Sequence, residues 1–435
     1  NKIEQGKNFP LRCHAFLGYS IQSSGNAVVS DVSRKRPLQM NPSQCISVLL
    51  LSSVTWCVSV AHDDRLEEID SQDRLIALML QAESRQKNLW IPKTGQGSLL
   101  GLPETYRNSL SQPVTCYGEL GCYMNIFGIP PERPGFIWPN YILYITEFPT
   151  RPVMTYGYNA TFGGEDFPIQ QALLNRYRPL VFLAHGFGEH AESKWVAKLC
   201  RILIESAHGA NVVVIDWRQG ARLSTLYTRA AANSMLVATM SARFAIGLMQ
   251  HYNISPERVH FIGFSLGAQV GGFFAKEVYD VTSRKLGKIT SLDCASPLFE
   301  EHGIFPRKEH TKFLEAIHTS AGNLPWLGKV GIEMNYGHVD YYPNGGIDQP
   351  GCHFPHLACA HHRAPEYFIE ALANGAQCRF SGHRCTTVDD ATRGACQQEK
   401  DVAHFIGMTY ADLDEAIIFL KTNISAPYCL KDYTL

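Results

Sequence analysis

Four short apolar runs, each ending where the chain can turn, constrain this sequence most. They are Leu180–Ala184 (LVFLA), Val212–Ile215 (VVVI), Val259–Ile262 (VHFI) and Ile289–Leu292 (ITSL). None alternates strictly between apolar and polar. That pattern suits strands buried on both faces of a parallel sheet. Helix-patterned stretches, Glu189–Ser206 and Ala230–Tyr252, lie between them. The alternation of strand and helix predicts an α/β fold with a mostly parallel, doubly wound sheet. Hydrophobic residues make up 45% of the 435 and charged residues 18%, enough apolar material for a large core. Lys+Arg (39) and Asp+Glu (40) nearly cancel, which argues against a phosphate-driven nucleic-acid binder.

The third run leads directly into Gly263-Phe264-Ser265-Leu266-Gly267, a GxSxG motif, and then into a segment, AQVGGFFAKEV, that can be helical. Strand, tight turn and helix is the context of a nucleophile elbow, in which the serine sits exposed at the turn. A serine hydroxyl needs a base, and the base needs an orienting group. Asp293 ends the next predicted strand and so lies at the same sheet edge as Ser265. In such folds the base follows the acid in the chain. His302, His310, His318, His338, His353, His356, His361, His362, His383 and His404 all do, and spacing does not choose among them.

The N-terminal quarter reads differently. An apolar run of about 16 residues, Cys45 to Val60, follows Met40 and ends in Ser59-Val60-Ala61. It is shorter than the roughly 20 residues that span a bilayer, and small residues precede a cut after Ala61. Residues 40–61 therefore read as a secretory signal peptide, with 1–39 as upstream sequence. The competing reading is a signal anchor with Arg34-Lys35-Arg36 kept cytoplasmic. Residues 62–113 form an N-terminal extension with helical spacing at Leu66, Ile69, Ile76, Met79 and Leu80. It reads as a surface segment, a pro-segment or an interfacial helix. Residues 114–435 form a single catalytic domain. Cleavage would reduce the 13 cysteines by Cys13, Cys45 and Cys57, leaving an even number. With no CxxC pair, that favours disulfides in a secreted, extracellular protein. Asn159, Asn253 and Asn423 open glycosylation sequons.

From about Cys116 to Asn423 the chain resembles the pancreatic lipase family of triacylglycerol lipases and phospholipases A1. The matching pieces are Cys-Tyr-Gly-Glu-Leu-Gly-Cys at 116–122, His185-Gly186-Phe187, Asp216-Trp217, Gly263–Gly267 and Leu292-Asp293. Further on come Ala316-Ile317-His318-Thr319, GHVDYYPNGG at 337–346, Pro350-Gly351-Cys352 and Ala358-Cys359-Ala360-His361-His362-Arg363. The resemblance implies an α/β-hydrolase fold and makes His361 the base of a Ser265–Asp293–His361 triad. It also assigns the oxyanion hole to the backbone N–H groups of Phe187 and Leu266. It implies disulfides Cys116–Cys122, Cys352–Cys359 and Cys385–Cys396, with Cys378 and Cys429 left as a further pair.

Several positions depart from the family. Its lid, between Cys352 and Cys359, is reduced here to His353, Phe354, Pro355, His356, Leu357 and Ala358. A short lid is similar to those of phospholipases A1 and of lipases that also act on phospholipids or galactolipids. The second loop over the site, 320–336, is not shortened, and its Leu324, Pro325, Trp326, Leu327 and Val330 are either a lipid contact or core. Phe264 stands where many relatives have His. Cys294 replaces the usual Pro, and we expect it to pair with Cys200. The family's calcium loop carries only Glu309 among basic neighbours, so no metal and no cofactor are expected. Too little chain follows His361 for the β-sandwich that docks colipase, so no colipase dependence is expected. The expected activity is release of fatty acids from glycerolipids at a membrane, micelle or droplet interface. The alternative is a non-catalytic lipid-binding or yolk-type storage protein of the same fold.

Overall fold

The computed structural model describes residues 114–159, 174–353, 356–374, 380–396, 404–407 and 415–430, with the backbone of 47–48 and 56–57. The chain divides into two units, Asn1–Asp64 and Arg65–Leu435. In the first, Ser47–Val48 pairs antiparallel with Trp56–Cys57. The rest of the expected signal peptide, residues 1–39 and the 62–113 extension lie outside the described residues.

The second unit is built on an eleven-stranded sheet. Its strands are β1 (Asn140–Ile145), β2 (Met154–Gly157), β3 (Leu180–Ala184), β4 (Asn211–Asp216), β5 (Val259–Phe264) and β6 (Leu286–Leu292). They continue as β7 (Thr311–Ile317), β8 (Val339–Pro343), β9 (Ser381–Cys385), β10 (His404–Phe405) and β11 (Ala416–Leu420). The spatial order is β10-β9-β11-β8-β7-β6-β5-β3-β4-β1-β2. From β4 to β11 neighbours run parallel, while β1, β2, β9 and β10 are antiparallel margins. The four apolar runs are β3, β4, β5 and the end of β6, the middle of the sheet.

Helices cover both faces: α1 (Lys194–Glu205), α2 (Tyr227–Tyr252), α3 (Leu266–Thr282) and α4 (Cys359–Asn374). Side chains along a strand alternate between faces, and β3 shows the consequence. Leu180, Phe182 and Ala184 join one core with α2 and α3, while Val181 and Leu183 join another with α1 and α4. No described helix is long and apolar enough to cross a membrane.

Three disulfides close short loops: Cys116–Cys122, Cys352–Cys359 and Cys385–Cys396. Cys429 is also disulfide-bonded, and its expected partner Cys378 lies outside the described residues. The expected Cys200–Cys294 bond is not formed, and both cysteines are buried and free. The reason is the sheet itself. Cys200 faces inward from α1 into one core, and Cys294, just after β6, belongs to the core on the other face.

Two outcomes follow from this packing. Peptides carrying Cys200 and Cys294 should take up an alkylating agent only after unfolding, without any reductant; finding either in a disulfide would contradict the separation by the sheet. Gly267 lies so close to β3 that an added Cβ would meet the Ala184 carbonyl oxygen at 2.2 Å. Gly267→Ala should therefore cost about 3 kcal/mol or more in thermal unfolding, because backbone has to move.

Candidate active site

The serine of the elbow is held in a backbone conformation that most residues avoid, φ 56° and ψ −122°. The flanking glycines permit it. A Cβ on Gly263 would stand 2.2 Å from the Gly267 carbonyl oxygen, so strand and helix meet with no room for a side chain. The elbow is also tied sideways to the next strand: Ser265 N–H donates to Leu292 O at 3.0 Å, and Ala295 N–H donates to Ser265 O at 3.3 Å. Leu266 opens α3, and N–H groups in a helix's first turn have no acceptor within the helix.

Because β5, β6 and β7 are parallel, their carboxyl ends reach one edge. Ser265, Asp293 and His318–Ser320 follow those strands in turn. Asp293 is buried with φ 39°. One carboxylate oxygen accepts Thr319 N–H at 2.7 Å and Ser320 N–H at 3.1 Å. The other faces His361 Nδ1 at 2.5 Å and also accepts the Ser320 hydroxyl. Burial pushes the Asp293 carboxyl up, but the His361 ring, the Ser320 hydroxyl and the Thr319 N–H outweigh it and hold it below the usual carboxylate range. With Nδ1 committed to Asp293, Nε2 is left to act as a base. His361 stands near the start of α4, and its ring packs on Phe264 with centroids 4.5 Å apart.

Ser265 and His361 both line a cavity of about 40 Å³. Its apolar walls include Phe187, Tyr227, Phe264, Pro325, Val330 and Leu357. The loop after β3 reaches the elbow: a Cβ on Gly186 would lie 3.0 Å from Ser265 Cβ. Phe187, the next residue, is thereby beside the candidate nucleophile. The 352–359 segment and the 320–336 loop meet closely. A Cβ on Gly328 would fall 1.8 Å from Leu357 O. Phe354 and Pro355 lie outside the described residues. The apolar loop residues divide, for Pro325 and Val330 face the cavity whereas Leu324 and Leu327 are exposed.

Three of the other histidines are engaged elsewhere. His318 is buried; Nδ1 meets Ile332 O at 2.8 Å and Nε2 meets Asp340 Oδ1 at 2.9 Å. His338 Nδ1 accepts Leu314 N–H at 2.9 Å, and His302 Nδ1 meets Leu298 O at 2.6 Å. His362 lines the cavity next to His361. Sequence reasoning passed over Thr319, Ser320 and Glu189. Thr319 stood in the sequence only as the end of the Ala316–Thr319 match, Ser320 as the start of the 320–336 loop, and Glu189 as the start of a helix-patterned stretch. Among the sequons, Asn159 and Asn253 are exposed. Asn423 is half-buried, and its amide donates to Pro427 O and Cys429 O, each at 2.9 Å. A glycan replaces one of those two hydrogens, so Asn423 is not a suitable acceptor. Among the described residues no group of three or more His, Cys, Asp or Glu side chains is arranged to hold a metal ion.

The His318–Asp340 pair yields a pH prediction. Burial disfavours the charged ring, but the Asp340 hydrogen bond and charge, with the Ile332 carbonyl, raise the His318 pKa above its ordinary value. A group raised on folding stabilises the fold fully below its unfolded value of about 6.5 and loses that contribution as pH rises through the folded value. Asp340→Asn should therefore cost about 3 kcal/mol at pH 5.5. The difference from wild type in thermal unfolding should shrink towards alkaline pH. A gap that widened with pH would contradict the pairing.

The chain matches the family described as Lipase over residues 158–428. It is 30% identical over 295 residues to pancreatic lipase-related protein 2 of Cavia porcellus, covering 65% of this chain and 64% of that protein. It is likewise 30% identical over 312 residues to the pancreatic triacylglycerol lipase of Homo sapiens, covering 65% and 63%. The chain thus spans just under two thirds of the length of these relatives. A crystal structure of dienelactone hydrolase from Anabaena variabilis aligns at 17% identity and a TM-score of 0.28, over 44% of this chain and 86% of that one. The match over residues 158–428 shows that the chain belongs to the lipase family.

Proposed function

We propose that the chain is a lipid carboxylester hydrolase that works through an acyl-enzyme, with Ser265 as nucleophile, His361 as base and Asp293 as its orienting acid. The observation that carries this reading is the 2.5 Å contact between His361 Nδ1 and Asp293. It leaves Nε2 for a serine on the same cavity wall. In the first step Nε2 takes the Ser265 proton as the oxygen attacks the ester carbonyl. Asp293 stabilises the resulting imidazolium, and the N–H groups of Phe187 and Leu266 receive the oxyanion. The proton passes to the leaving alcohol. Water, deprotonated by His361, then releases the fatty acid.

The substrate reading rests on the walls. Apart from Glu189 and the two histidines, the cavity is lined by uncharged residues. Exposed Leu324 and Leu327 flank Pro325 and Gly328 of the lining, and exposed Leu226 precedes Tyr227. Apolar residues at a site mouth suit a lipid surface. The segment closed by Cys352–Cys359 is short, which favours access for the head groups of phospholipids or galactolipids as well as for triacylglycerol. The three disulfides and exposed Asn159 and Asn253 agree with secretion into an oxidising compartment.

A fluorophosphonate probe should label Ser265 in the folded protein, and Ser265→Ala should abolish labelling and lower ester hydrolysis by about 10⁴-fold or more. An unlabelled native protein would favour a storage role instead. Ser320→Ala removes one donor to Asp293 and should lower kcat/KM about tenfold. On a panel of phosphatidylcholine, galactolipid and triacylglycerol, the polar lipids should be cleaved at least as fast; a strong preference for long-chain triacylglycerol would defeat the short-lid argument.

A further inference from the structure

We infer that Glu189 is a positioning residue of the oxyanion hole: its buried carboxylate clamps the turn that presents the Phe187 N–H to the reacting carbonyl. This rests on the serine-hydrolase reading above and adds to it a residue outside the triad and the two N–H donors.

Glu189 lies three residues after Gly186, on the wall of the cavity that holds Ser265. It is buried, and no Lys or Arg ion pair to it occurs among the described residues. Oε2 instead accepts Gly186 N–H at 2.7 Å, and Oε1 accepts the Trp195 indole N–H at 2.7 Å. Glu189 N–H also reaches back to Gly186 O at 3.4 Å, and His185 Nδ1 meets that oxygen at 3.0 Å. The Gly186 carbonyl and the Phe187 N–H belong to one planar, trans peptide and point to opposite sides of it. Holding Gly186 O against His185 and Glu189 therefore directs the Phe187 N–H the other way. Gly188 N–H, bonded to Ala221 O at 2.6 Å, secures the far end of the turn.

The carboxylate is itself secured. Trp195 projects from α1 and packs edge-on against Phe264 with centroids 5.6 Å apart; Phe264 in turn packs on the His361 ring. A single set of buried contacts thus links the candidate oxyanion donor to the candidate base. A carboxylate suits this position because it accepts from two N–H groups and offers no donor of its own. Glutamine has one oxygen and one NH₂ group, so one of its two contacts would become donor against donor.

The test compares wild type, Glu189→Gln and Trp195→Phe in the full chain. The probe is an alkyl trifluoromethyl ketone. Its carbonyl carbon bonds to Ser265 Oγ, the carbonyl electron pair moves to oxygen as an oxyanion, and the serine proton passes to His361. In Glu189→Gln, kcat should fall about tenfold or more with KM within twofold, and the ketone should bind more weakly in the same proportion. Trp195→Phe, which keeps the ring packing, should shift both quantities in the same direction by less. A folded Glu189→Gln with unchanged kcat and unchanged ketone affinity overturns the inference, as does a fall in kcat with ketone affinity intact. If Glu189→Gln does not fold, unchanged ketone affinity in Trp195→Phe overturns it. Failure of a fluorophosphonate to label wild-type Ser265 is a separate result and removes the parent reading as well.

Discussion

A carboxylate taken out of water must be given donors in return, and Asp293 is 1% exposed. Its donors come from two places that are distant in the chain. Thr319 and Ser320 belong to the turn after β7, and His361 to α4. Asp293 N–H itself donates to Ile317 O at 2.8 Å, extending the β6–β7 ladder by one rung. The arrangement therefore requires parallel β6 and β7 in their observed register, with Leu292 opposite Ile317. A slip of one residue would turn the inward side chains to the other face and leave the charge unpaired. Sheet register and proposed catalytic geometry are one constraint here.

The same edge carries a second buried acid and histidine. His318 precedes Thr319 and is stacked on Tyr342, with ring centroids 4.4 Å apart and planes within 6°. Asp340, at the β8 end of the sheet edge, accepts Tyr336 N–H and Gly337 N–H besides facing His318. The turn that clasps Asp293 is thus anchored on its far side by a pair whose own hydrogen bonds are complete. Gln349 continues the connection, donating to Thr319 O at 3.1 Å and to Pro343 O at 2.8 Å. These contacts run from the proposed acid to the residues just before Cys352, where the short lid segment begins.

The middle of the sheet was legible in the sequence because β3, β4 and β5 are continuous apolar runs. Other strands were not, for reasons in their side chains. Thr311–Ile317 contains Lys312 and Glu315, and Glu315 is fully buried against Lys288 at 2.6 Å. A buried ion pair looks polar in the sequence. Ser381–Cys385 is a margin strand with Gly, His and Arg, and shows no alternation. The elbow was legible because its glycines answer to local sterics alone. The base was not, because which of ten downstream histidines meets Asp293 depends on where α4 crosses the sheet edge. The resemblance named His361, and the structure puts that ring 2.5 Å from Asp293. The pairing expected from two departures from the family, Cys200 and Cys294, does not form, because the two lie in different cores. The sheet separates the two thiols, Cys200 on α1 in one core and Cys294 after β6 in the core on the other face.

With a net charge of −1, the proposed attraction to a lipid interface would have to come from local surface. Exposed Leu324 and Leu327, next in the chain to residues of the lining, supply apolar area, and the lining holds one carboxylate whose oxygens both accept N–H donors. In the proposed function an acyl chain would approach Ser265 and His361 along this apolar lining. In the same proposal a polar head group would find no such lining and would stay outside, beside the short segment closed by Cys352–Cys359. On that proposal the length of the segment would govern access by the head group and the apolar lining the fit of the chain. Discrimination among glycerolipids should accordingly reside in residues 320–336 and 352–359 rather than in the sheet edge that carries the triad.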